Sequence, residues 1–142
     1  MPFIDSKITV SLTPEKEETI KAKLGEAIQI LNKSETYLMV GFEDNYDLYM
    51  GGSKLDKGAY VSVSLFGQAS PSAYSEMTKV ICDILSEELS IPGNQVYVTY
   101  HGVNDWGWNG SNFLMYHQSK KQRIPFCELS AFSFNRIYWQ VI

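Results

Sequence analysis

Thr13-Pro14 and Ser70-Pro71 are one signal written twice, 57 residues apart: a hydroxyl side chain followed by proline. The hydroxyl suits a helix N-cap, and proline suits the first helical position, where its missing N–H costs nothing. Each pair stands between segments with strand character. Residues 2–10 carry Ile4, Ile8 and Val10. After Thr13-Pro14, Ile20, Leu24, Ala27, Ile28 and Leu31 form one apolar stripe on a charged helix that Asn32-Lys33-Ser34 ends. Residues 37–43 read as a second strand, and Gly51-Gly52 marks a turn. The second half repeats the order. An alternating strand spans 59–65, and Met77, Val80, Ile81, Ile84 and Leu85 face one side of a second helix. Pro92-Gly93-Asn94 turns the chain into a strand at 96–100.

The order predicts an α+β fold of α/β type, a tandem βαβ repeat. Each unit crosses over right-handed, so its two strands run parallel. Two units give a four-stranded sheet with two helices on one face. The 142 residues suffice for about one domain. The uncovered sheet face is expected to be apolar, with Phe3, Tyr37, Met39, Phe66, Val96 and Val98 on it. A face of that kind is an association surface, and a closed ring of like subunits would bury it. A homo-oligomer is the expectation.

Several classes fall away on composition. A net charge of −4 gives no electrostatic support for nucleic-acid binding. Two cysteines, Cys82 and Cys127, make no disulfide framework or cysteine-rich metal site, and His101 and His117 are too few for a histidine cluster. No stretch approaches the roughly 20 apolar residues of a membrane span. The start, Met1-Pro2-Phe3-Ile4-Asp5, lacks the basic and apolar regions of a signal peptide. A soluble chain made in a reducing, cytoplasmic compartment is expected, with no metal and no cofactor.

Particular residues go further. Met1-Pro2 opens the chain, Lys33 follows the first helix, and Tyr37 opens the second strand. Gly51-Gly52-Ser53, Val96-Tyr97-Val98 and the run Gly107-Trp108-Asn109-Gly110-Ser111-Asn112-Phe113 complete the set. In this combination the chain resembles the macrophage migration inhibitory factor family of the tautomerase superfamily, over residues 2–113, roughly 80% of its length. The resemblance implies a trimer with three sites at subunit boundaries. It also implies keto–enol tautomerase activity on phenylpyruvate- or dopachrome-like compounds.

Tautomerisation moves a proton between carbon and oxygen, so it needs a group near the substrate that is basic at neutral pH. Methionine removal would leave Pro2 with a free secondary amine. Burial and a nearby ammonium both disfavour the charged form of such an amine. The resemblance supplies Lys33 as that ammonium, and Lys33 can also stabilise an enolate oxygen. From the residues alone, Lys33 reads first as a solvated cation offsetting a helix dipole, and only the resemblance turns it into a site residue. The resemblance further implies a pocket wall from Tyr97 of a neighbouring subunit and a main-chain N–H donor at Phe66. Tyr37, Trp106, Trp108 and Phe113 are further lining candidates that read equally as packing.

The departures from the family are specific. The Cys-x-x-Cys of the family's mammalian member corresponds to Gly58-Ala59-Tyr60-Val61, so dithiol chemistry is rejected here. Thr99 stands in place of an asparagine. The family usually ends near Phe113, giving a domain at 1–113, whereas residues 114–142 form an atypical extension with four Lys/Arg and one acidic residue. That extension reads as an added strand or hairpin, or as a segment with no selected structure. If structured, it could narrow the pocket. A second reading of function is a secreted, cytokine-like ligand of a cell-surface receptor, exported by a non-classical route.

Overall fold

The computed structural model describes residues 1–114, so the expectations for the extension lie outside the described residues. Strand β1 (Pro2–Ile8) leads to helix α1 (Pro14–Ala27), strand β2 (Met39–Glu43), a small hairpin of β3 (Tyr49–Met50) and β4 (Ser53–Lys54), and strand β5 (Ala59–Phe66). Helix α2 (Pro71–Leu89), strand β6 (Val96–Val103) and a second hairpin, β7 (Asp105–Trp108) with β8 (Ser111–Leu114), complete it. The main sheet has the order β2-β1-β5-β6. Pairs β1–β2 and β5–β6 are parallel, as βαβ units require, and the two units join through the antiparallel pair β1–β5.

Both helices start as their capping residues dictate. Thr13 Oγ1 accepts from the Lys16 N–H and Ser70 Oγ from the Ala73 N–H, with Pro14 and Pro71 in the first turns. One core fills the space between helices and sheet. Ile20, Leu24 and Ile28 come from the first unit's helix and the turn after it, Met77, Ile81 and Leu85 from α2, and Ile4, Ile8, Val61 and Val63 from the sheet. Lys16 and Lys23 reach from α1 to Glu88, and Lys23 also to Glu87, along the outer seam of the helices.

The open face differs from expectation. Strand side chains alternate, so Val96 and Val98 cannot share a face with Tyr97. The valines pack on the helix side, Phe66 is buried, and Tyr37 sits in a 3₁₀ turn ahead of β2. Phe3 and Met39 do lie on the open face, level with Ser64 and His101. The next rows carry Asp5, Ser62 and Thr99, then Glu43, Lys7, Tyr60 and Tyr97. Asp5 pairs with Lys7, and Thr99 Oγ1 joins the Tyr60 hydroxyl to His101 Nε2. This surface is mainly polar, so apolar exposure is not an argument for association.

Candidate functional site

The chain start and Lys33 meet at the end of β5. Pro2 enters β1 fully buried, opposite Leu65. Lys33 reaches the same place through a local reversal. After α1 the chain tightens into a 3₁₀ turn (Ile28–Leu31), and Asn32 takes the left-handed conformation at φ 57°. Asparagine tolerates that geometry better than most residues. The reversal turns Lys33 inward, where it is only 3% exposed.

Phe66 ties the two together through its main chain. Its carbonyl accepts a 2.8 Å hydrogen bond from Lys33 Nζ, and its N–H donates to the Met1 carbonyl at 3.1 Å. The electrostatics follow from this enclosure. Burial lowers the Lys33 pKa to about 8. The Met1 amine is lowered to about 6, first by burial and then by the positive charge of Lys33. A basic nitrogen at this end of the chain therefore sits where its charged form is disfavoured.

Lys33 also makes stability pH-dependent in a stated direction. Its folded pKa lies below the ordinary 10.5, so between about pH 8 and 10.5 the unfolded chain binds the extra proton and stability rises with pH. Relative to Lys33→Met, the wild type should gain roughly 3 kcal/mol across that window. Urea denaturation of both proteins at pH 7 and pH 10 measures it. A difference between them that stays constant with pH would remove the buried, charged lysine from the picture.

An aromatic run leads outward from this point. The rings of Phe66 and Phe113 lie 6.2 Å apart, Phe113 and Trp108 stack at 6.3 Å, and Tyr37 meets Trp108 edge-on at 5.8 Å. Phe66 and Phe113 are buried, while Trp108 and Tyr37 are 49% and 46% exposed. The β7–β8 hairpin presents Trp108 and Phe113, turning through Asn109 and Gly110, both at positive φ. Asn-Gly is the strongest short hairpin signal.

The structure thus brings together Pro2, Lys33, Phe66, Phe113, Trp108 and Tyr37. Trp106 is half-buried and stands opposite Phe113 in the hairpin ladder. Tyr97 is not brought in. Gly102 is the β6 residue level with Pro2, and Tyr97 lies five positions away along that strand, about 16 Å, and 65% exposed. The Phe66 carbonyl as the lysine's acceptor was beyond sequence reasoning, because no side chain signals it.

Comparisons with known proteins agree over the same span. The profile of the macrophage migration inhibitory factor (MIF) family matches residues 1–114. The crystal structure of Leishmania major MIF2 superposes with a TM-score of 0.75 at 34% identity, covering 80% of this chain and 97% of that one. The MIF homologue of Prochlorococcus marinus, at 23% identity and a TM-score of 0.70 over 78% of this chain and 97% of its own, shares the fold. The macrophage migration inhibitory factor of Xenopus laevis is 39% identical over 64 residues, 44% of this chain and 56% of the relative. The chain thus spans little more than half the length of the curated frog relatives it matches. The match runs from the chain start, through both βαβ units, to the aromatic hairpin, and the chain belongs to the macrophage migration inhibitory factor family of the tautomerase superfamily.

Proposed function

We propose that the mature chain is a cofactor-free keto–enol tautomerase for phenylpyruvate- or dopachrome-like substrates, with Pro2 as general base and acid and Lys33 in support. The observation that carries this reading is the buried Lys33 ammonium held beside the chain start by the Phe66 backbone. Removal of Met1 would turn the Pro2 nitrogen from an amide into a secondary amine in surroundings that favour its neutral form. It would also release the Phe66 N–H. The Met1 carbonyl stands in for a substrate oxygen at that donor.

The proton balance closes without a further reactant. The Pro2 nitrogen takes a proton from the carbon beside the ketone. That C–H pair becomes the C=C bond while the carbonyl π pair moves onto oxygen. Lys33 Nζ has three N–H groups, one engaged by Phe66, and the others can face the oxygen as charge develops. The proton lost from carbon ends on oxygen, giving the enol. The reverse sequence restores the ketone, so Pro2 serves as base in one direction and acid in the other.

The same reading takes the active form to be a homotrimer. Tyr97 is too far along β6 to serve its own chain's Pro2, and in a ring it would line a neighbour's site. Tyr37, Trp108 and Phe113 would hold the substrate's ring, and Trp106 would extend that wall. The test is an assay of phenylpyruvate tautomerisation on protein confirmed by intact mass to begin at Pro2, with its assembly measured by sedimentation. Activity without added cofactor, in trimeric protein, is expected. A folded trimer starting at Pro2 that leaves the spontaneous rate unchanged overturns the reading.

A further inference from the structure

The backbone that holds Lys33 is itself seated on a glycine. Just past β5 the chain bends over β6, with Gly67 at φ 85° and its N–H donating to the Val103 carbonyl at 2.9 Å. The Gly67 carbonyl comes down on Gly102, which pairs with Leu65 in the β5–β6 ladder. A Cβ at Gly102 would overlap the Gly67 carbonyl oxygen and come within 2.7 Å of Gln68 Cγ. Gly51, Gly52 and Gly110, by contrast, have no atom of the described residues within 4 Å of where a Cβ would go. Gln68 has a flexible side chain that can swing away. The Gly67 carbonyl is main chain, one peptide from the Phe66 carbonyl that accepts from Lys33.

We infer that Gly102 is a positioning residue: its missing side chain lets the Phe66–Gly67 backbone lie against β6 and so holds the Phe66 carbonyl and N–H at the chain start. The inference rests on the tautomerase reading for its functional consequence, and its structural part stands apart from that reading. A methyl group at 102 lifts the strap from β6. Phe66, on the same strap, accepts the hydrogen bond of the buried Lys33 ammonium, so lifting the strap weakens that bond and opens the ammonium to water.

The experiment compares wild type, Gly102→Ala and Gly93→Ala. The last is a control, since a Cβ at Gly93 makes only ordinary contact with Cys82 at 3.9 Å. The Lys33 titration is followed by NMR of its ε-carbon and read beside kcat/KM for phenylpyruvate across pH. In Gly102→Ala the Lys33 titration should move upward toward an ordinary lysine's. At neutral pH kcat/KM should fall at least about tenfold, and the alkaline limb of the profile should follow Lys33. Gly93→Ala should change none of these. Gly67→Ala, which strains the same strap at its positive φ, should repeat the shift more mildly. A Lys33 titration unchanged in folded Gly102→Ala overturns the inference, even where thermal stability drops. So does failure of both strap variants to fold, which would make these glycines purely architectural. A wild type inactive on phenylpyruvate would sink the tautomerase reading, while the NMR titration would still decide the role of Gly102.

Discussion

Pro2→Gly, with its methionine still removed, should lose about 10²- to 10⁴-fold in kcat/KM for phenylpyruvate, the range general acid–base catalysis supplies. Glycine keeps a terminal amine at the same address, so the variant tests more than the presence of a nitrogen. Proline's ring fixes φ and sets the amine into the start of β1, where Pro2 is fully buried. A terminal glycine loses that fixed aim and the apolar ring that helps to exclude water. Steady-state kinetics should place the loss mainly in kcat, because the wall of Phe66, Phe113, Trp108 and Tyr37 is untouched. Full retention of kcat/KM would separate Pro2 from the chemistry.

Lys33→Met is the second large effect, and it has two parts with separate signatures. On the proposed mechanism, losing the ammonium would remove a donor from the developing oxyanion, worth about 10²- to 10³-fold in kcat for groups of this kind. It also removes the positive charge that disfavours protonation at the chain start, an influence already felt by the Met1 amine. The sign follows directly. Without that charge the terminal amine's pKa rises, so the acid limb of the pH–rate profile should move to higher pH. The alkaline limb that belongs to Lys33, near its pKa of about 8, should vanish. A profile of unchanged shape, merely lower, would leave Lys33 a structural lysine.

Much of the scaffold was legible because its signals are local. Thr13-Pro14 and Ser70-Pro71 start helices through hydrogen bonds that span three residues. Asn109-Gly110 announces the hairpin that carries Trp108 and Phe113. Where the inference depended on long-range pairing, less was available. Nothing local in Pro2–Ile8 or Ala59–Phe66 says that these strands run antiparallel, the step that joins the two βαβ units.

The open face differs from expectation for a simpler reason. Alternation along β6 sends Val96 and Val98 to the helices and Tyr97 outward, so the valines and the strand aromatics lie on opposite faces. At the site, Pro2 and Lys33 could be named through resemblance. Their link through the N–H and carbonyl of Phe66 could not, since main-chain atoms are the same in every residue. Gly67 and Gly102 carry no local signal in the sequence, and only the close approach of their backbones gives them weight.

One measurement bears most directly on the chemistry: an ¹⁵N NMR titration of the Pro2 nitrogen in protein shown by mass to start there, run beside Lys33→Met. The amine is expected to be largely neutral at pH 7 and to titrate at higher pH in the variant. An amine still protonated above pH 8, or a titration indifferent to Lys33, would contradict a base made by burial and a neighbouring cation.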